Sequence, residues 1–451
     1  MRLVVDRVEK TGMMGLSNPK RYLTGIDWFM HSLDHINRRA CGKGTTAQVV
    51  LELKDAPDAD ALRERLTNAV NAFAILQGRT ARSLNLAPYW SAPSKRKRIR
   101  VRFDVVSASD EAGVDRLLYR DVVMPSEPGV CRYVWFRLVT APDAAYLSMA
   151  FDHRVLDGQG AETFLDFCVQ DPEQQARIAE RVVQTEPAHL TQWVKKLLAG
   201  KAFNEKLWEL RDISPPRCVT GARTGAVRTF RFKAMCMDGP ETRHMMDTAF
   251  RQAGYLMLMP YVLANVLRTY EDVLGERLNG REHFIVPLSV SLRAPNALPA
   301  TMFFNHLSFI FLDVAEGDAT DVARMIATIK SQMCEQFADR FAQKSAEGLM
   351  LARILPVEIF GRVMRYYTRG NSGSLNCSVL TDTKFATSSV LGCEVSNLFH
   401  LPNPAYPPGV GAFFNVYRER FNGTLAFADD LIDPATADIF MQRLRHDLLG
   451  E

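Results

Sequence analysis

The sequence predicts an α/β protein built as two lobes, and three observations carry that expectation. Its 451 residues exceed the size at which one hydrophobic core stops growing, so two domains are the default. Short apolar runs bounded by turn residues alternate with segments of helical period in both halves of the chain. Between the halves, Ile213-Ser214-Pro215-Pro216-Arg217 to Gly225 is rich in Pro, Gly and Arg and has no period, which marks a boundary. The expected organisation is an N-terminal domain 1–212, a linker 213–226 and a C-terminal domain 227–451. Each is a mixed sheet with flanking helices, and the two layers face one another.

The elements follow in order. A helix is expected from about Asp58 to Leu76, with Pro57 near its start, one stripe of Leu62, Leu66, Val70, Phe73 and Leu76, and Gly78 at its end. Trp90 to Ser94 reads as a loop, and Lys95 to Val106 and Arg132 to Val139 as strands. Tyr146 to Phe151 is a short apolar, β-compatible run. Gly158 and Gly160 break it before a periodic segment, Ala161 to Val169. A weaker helical region spans Glu186 to Leu210. The second half opens with a strand, Val227 to Ala234, then two helical stretches from Glu241 to Leu274 interrupted at Gly254 and Pro260. Strands at Phe284 to Leu292 and Leu307 to Val314 precede a helix from Asp321 to Phe341, periodic in Val322, Met325, Ile329, Met333 and Phe337. Asp433-Pro434, an N-cap and first-turn pair, starts the terminal helix. No internal repeat is evident.

The chemistry concentrates at Phe151-Asp152-His153-Arg154-Val155-Leu156-Asp157-Gly158, an H-x-x-x-D-G pattern at a strand end. Histidine takes a proton near neutral pH, and a strand terminus gives it a fixed position from which to act. A His and an Asp four apart are common by chance. A second block adds weight: Val286-Pro287-Leu288-Ser289-Val290-Ser291-Leu292-Arg293, followed by Phe304-Asn305.

Together these blocks resemble the coenzyme A and carrier-protein dependent acyltransferases that include chloramphenicol acetyltransferase, peptide synthetase condensation domains, wax ester synthases and the plant alcohol acyltransferases. The segment Leu23 to Phe29 is similar to that family's opening, and Tyr417 to Leu431 with the last helix to its ending, so the resemblance spans nearly the whole chain. It implies two chloramphenicol-acetyltransferase-like domains around a central channel, and transfer of an acyl group from a thioester to a hydroxyl or amine. It makes His153 the general base and turns Asp157 away toward Arg293, so that Asp157, Gly158 and Arg293 support the site. Asn305 and hydroxyls of Ser374 to Thr381, Ser378 and Thr381 among them, are the implied binders of the acyl carbonyl or donor.

The resemblance also implies no tightly bound cofactor. Acyl coenzyme A or an acyl carrier protein serves as co-substrate, and the acceptor is a small or lipid-like molecule. Two positions depart from the family pattern: Asp152 stands where many relatives have a first His, and Phe304 where they have Gly. A carboxylate turned toward His153 would favour the imidazolium and weaken a base, but strand alternation points Asp152 the other way. The alternative from another class is a catalytically silent, condensation-like protein that binds a carrier protein or small molecule.

The remaining features narrow the field. A net charge of +4 and a charged fraction of 24% are unremarkable for this length. The eight cysteines show no C-x-x-C pair and read as reduced and structural. Met1 to Lys10 lacks the apolar core of a signal peptide, and no apolar run approaches a membrane span, so the cytoplasm is expected. His31 and His35, beside Asp34, have metal-ligand spacing without a third ligand and read as a surface helix turn; no metal is expected. Tyr255 to Met259 reads as core rather than acyl pocket. Lys95 to Arg102 is the one charge cluster; on a strand it would set Arg96, Arg98, Arg100 and Arg102 on one face. That face reads as a solvated edge, or as a surface for phosphates, an acidic carrier protein or anionic lipid. No nucleic-acid module accompanies it.

Overall fold

A computed structural model describes residues 20–94, 97–188, 191–219, 228–318 and 321–451. Its frame is two six-stranded mixed sheets. The first runs Ser389–Val390, Cys393–Pro402, Thr46–Leu53, Ala145–Asp152, Val134–Thr140 and Phe103–Ser107. The second runs Leu307–Ala315, His283–Ser291, Asn376–Leu380, Val410–Tyr417, Arg420–Ala428 and Phe230–Met237. The α/β class and the pair of mixed sheets are as the sequence predicts.

The sheets do not follow the boundary in the chain. Cys393–Pro402 lies beyond the 213–226 segment, yet it pairs with Thr46–Leu53 and completes the first sheet. Its sequence explains why it can lie inside: Val395, Leu398 and Leu401 are fully buried, as an interior strand requires. The two sheets are then clamped together by amides. Asn397 and Asn422 exchange hydrogen bonds of 2.8 and 3.0 Å, and Asn415 donates to the Leu398 carbonyl at 2.8 Å. Buried polar groups fully paired in this way fix one arrangement of the layers. Residues 220–227, which include all of the expected linker beyond residue 219, lie outside the described residues.

Local structure follows the periodicity where it is strong. The first predicted helix is Ala59–Asn71, capped by the Asp58 carboxylate on the Ala61 N–H. Leu62, Leu66 and Val70 of its stripe are fully buried, each contributing about 1.5–3 kcal/mol. Phe73 and Leu76 continue inward on a 3-10 turn, Ala74–Gln77. The terminal helix, Pro434–Leu449, starts on Asp433. Helices Gly239–Ala253 and Leu258–Leu274 break at residues 254–257, and Pro260 sits in the first turn of the second, where its missing N–H is harmless.

Four expectations are corrected. The strand predicted from Lys95 begins only at Phe103: Asn71 takes both backbone groups of Ile99 with its side-chain amide, in place of a ladder. Arg98, Arg100 and Arg102 therefore share no strand face, Arg102 lies over the Trp135 ring, and Lys95 and Arg96 lie outside the described residues. The helix expected to Phe341 ends at Ala338, and a second, Phe341–Ala352, follows a left-handed Arg340. Tyr255 and Leu256 are exposed at a turn, not core. His31 is buried on helix Gly25–Cys41, not on a surface turn.

Candidate active site

The cavity between the sheets, about 340 Å³, takes its walls from both. Thr46, Ala47 and Phe151 come from the first sheet, and Pro287, Ser289 and Phe413 from the second. His153, Asp157, Gly158, Arg293, Ser378 and Thr381 all reach it. Asn305 lies behind His153.

His153 follows directly on strand Ala145–Asp152. Its N–H donates to the Thr45 carbonyl at 2.9 Å, so the pairing with the neighbouring strand runs on to the imidazole. Asn305 sets the ring. Its amide N–H donates to the His153 carbonyl at 3.0 Å, which turns its oxygen toward Nδ1 at 3.3 Å. An oxygen accepts, so Nδ1 carries the proton and Nε2 keeps a lone pair. The expectation that Asn305 binds the acyl carbonyl gives way to this geometry, because both ends of its amide are engaged by His153. Asn305 is itself fixed: its N–H donates at 3.0 Å to Asp27, whose other oxygen closes the capping box of the first helix with Thr24. In the sequence, the role of Asp27 shows only as a capping Thr-x-x-Asp, Thr24 to Asp27.

Asp152 does not reach His153. Its carboxylate, buried at the strand end, takes a bidentate grip from Arg154 at 2.6 and 2.9 Å. Arg154 in turn lies 3.6 Å from Asp34. The Asp152 charge is thus neutralised by a residue two positions on.

Asp157 does three tasks with two oxygens. It caps helix Gly158–Val169 through the Gly160 N–H at 2.9 Å, accepts the His306 N–H at 2.9 Å, and pairs with Arg293 at 2.8 Å. Burial alone would raise its carboxyl, but Arg293 and these N–H donors hold it below the usual range. The glycine that packing demands is Gly160, where a Cβ would stand 2.2 Å from the Met302 carbonyl; at Gly158 it would make only ordinary contact with Leu380.

Phe304 joins the two blocks. Its N–H donates to the Val155 carbonyl at 2.6 Å, and its φ of +69° is left-handed, a region that favours Gly. The buried ring is held by Arg21, 4.4 Å from its centroid, and by the edge-on Trp90 at 5.5 Å. Of the predicted hydroxyls, Ser374 is buried and tied to the Ile285 N–H, whereas Ser378 and Thr381 line the cavity. Cys377 also lines it, but burial pushes its thiol up to about 12, which removes it as a nucleophile at neutral pH.

Among the described residues no helix is long and apolar enough to cross a membrane. No protein-family profile and no curated protein sequence matches the chain. Solved structures do match. The epimerization domain from the third module of tyrocidine synthetase B shares 14% identity at a TM-score of 0.60, over 97% of this chain and 98% of that one. The first condensation domain of the calcium-dependent antibiotic synthetase shares 15% at 0.62, over 95% of each. Trichothecene 15-O-acetyltransferase from Fusarium sporotrichioides shares 12% at 0.66, over 98% and 96%. At such identities the likeness is one of fold: the two-lobed α/β architecture of these epimerization, condensation and acetyltransferase structures.

Proposed function

We propose that the protein transfers an acyl group from a thioester, coenzyme A or carrier-protein bound, to a hydroxyl or amine, with His153 as general base. The observation that carries this reading is the ring of His153, fixed on a cavity wall with Nδ1 turned to Asn305 and Nε2 making no hydrogen bond to a described residue. Nε2 takes the acceptor proton as the acceptor oxygen or nitrogen bonds to the thioester carbon. The tetrahedral oxyanion then collapses, the C–S bond breaks, and the proton passes from Nε2 to the leaving thiolate. No covalent enzyme intermediate is required. Ser378 and Thr381 are the hydroxyls at the cavity wall that supply hydrogen bonds to the carbonyl oxygen, while Asp157, Gly158 and Arg293 hold the turn.

Thiol release from a panel of acyl coenzyme A donors, with the product identified by mass, tests the reading. His153→Ala should keep the wild-type circular dichroism and lower turnover by at least ~100-fold. Transfer retained in that variant, after subtraction of uncatalysed acyl loss, removes His153 from the mechanism. A wild-type protein that binds donors without turnover would be a silent binding protein.

A further inference from the structure

A second histidine faces the same cavity. His400 lies on strand Cys393–Pro402 and lines the cavity wall. Its Nε2 is 2.7 Å from Oε1 of Glu162, a carboxylate with no exposure on helix Gly158–Val169. The other oxygen of Glu162 accepts from the Thr383 hydroxyl at 3.0 Å and from the Lys384 N–H. A buried carboxylate with every partner in place holds the ring as an orienting acid holds a catalytic imidazole. The arrangement is not sealed in the core, since the His400 side chain keeps 11% exposure and its residue borders the cavity. With Nε2 engaged by Glu162, the ring leaves Nδ1, which bonds no described residue, available to a ligand.

Register places this group well away from His153. His400 pairs with Val49 and Val49 with Met149, so His400 lies two strands across and four residues back from His153. That separates the two backbones by roughly 13 Å along the strands and roughly 10 Å across them. Apolar side chains, Met30, Leu33, Ala47, Phe151, Phe309 and Phe414, line much of the same cavity.

We propose that His400, oriented by Glu162, is a second polar anchor that hydrogen-bonds a hydroxyl of the acceptor remote from its reacting hydroxyl. The substrate class is then an acceptor with an apolar span between two hydroxyls. His400 is a binding residue and Glu162 a positioning residue. The inference rests on the cavity being an acyl-transfer site.

The test uses α,ω-alkanediols of about six to twelve carbons against 1-alkanols of equal length, spans that bracket the estimated separation once both side chains reach inward. Binding is read from the ring ¹⁵N resonances of His400, assigned by their loss in His400→Phe, and transfer from acetyl coenzyme A. One diol length should move the His400 resonances where its 1-alkanol does not, and should show a KM about ten-fold lower. That ratio should fall to about one in His400→Phe and to an intermediate value in Glu162→Gln, which keeps the ring but weakens its orientation. His400 resonances unmoved by every diol, or an equal KM ratio in wild type and a folded His400→Phe, would overturn the anchor. Diols that bind through His400 without acyl transfer would leave the anchor standing and remove the transferase reading.

Discussion

Asn305 holds His153 at two points, donating to its carbonyl at 3.0 Å and facing its Nδ1 with an oxygen at 3.3 Å. Residues 152 apart in the chain thus decide which nitrogen of the candidate base is free. Asn305→Ala removes both contacts without touching the cavity wall. We expect kcat to fall by ~10- to 100-fold with a small change in KM, the scale of a misplaced reacting group. Steady-state kinetics on the donor panel checks this, and an unchanged kcat would show that Asn305 does not set the ring.

Asp157 and Arg293 form a buried pair, with 2% and 6% side-chain exposure. Removing either partner strands the other charge at a cost of about 3–5 kcal/mol. Asp157→Asn and Arg293→Gln should each lower Tm and activity, and the double variant should lose less than the sum of the singles. Additive losses would mean that the two act independently.

The same pair gives an acid limb. The folded-state carboxyl of Asp157 lies below its ordinary value, so its contribution is complete above about pH 4 and disappears only as pH falls through the depressed folded-state value. Urea midpoints of the wild type should therefore keep the Asp157 contribution at pH 5, whereas Asp157→Asn should be destabilised there as much as at pH 7. A loss that shrinks toward pH 5 would contradict the depressed carboxyl.

His31 acts in the same direction, at higher pH. Burial, with Arg154 adding to it against the carboxylates of Asp152, Asp27 and Asp34, lowers its imidazole to about 4. The unfolded chain binds that proton near pH 6.5 and the folded one does not, so stability falls with decreasing pH between those values, by roughly 3 kcal/mol in all. His306, also lowered first by burial, adds to the same slope. His31→Gln should reduce, and not abolish, the decline of urea midpoints between pH 7 and pH 4.5; an undiminished decline would place its origin elsewhere.

Phe304 carries a left-handed backbone and a buried ring at once. Both Phe304→Gly and Phe304→Ala lose the ring and should destabilise by a few kcal/mol. Glycine alone relieves the backbone, so Phe304→Gly should be the more stable of the two by about 1–2 kcal/mol in chemical denaturation. The reverse order would show that the surroundings and not the dihedral select the residue.

Much of this architecture was legible locally. Helix Ala59–Asn71 and the terminal helix combine an apolar stripe with an Asp cap, and strand Ala145–Asp152 is a mostly apolar run closed by a turn. His153 could be named because it follows such a strand end directly, whereas Asp157 and Arg293 were named through the family resemblance of the two motif blocks. Where the period was weak, the elements were missed or displaced. Helix Trp193–Ile213 exposes Trp193, Val194, Leu197 and Leu198, which blurs its stripe, and short Pro172–Arg181 buries only Gln175.

The sequence by itself determined the α/β class, the strand ends that carry His153 and Arg293, and the caps that start the main helices, because these depend on periods and residue types within a dozen positions. Only the tertiary structure decided what those side chains meet. The insertion of Cys393–Pro402 into the first sheet brings His400 to Glu162, 238 residues away, and the left-handed turn at Phe304 brings Asn305 to His153. Asp152 is drawn off by Arg154 rather than by strand alternation alone. The contacts of His400 with Glu162 and of Asn305 with His153 arise from long-range strand pairing, and no window of sequence contains both partners.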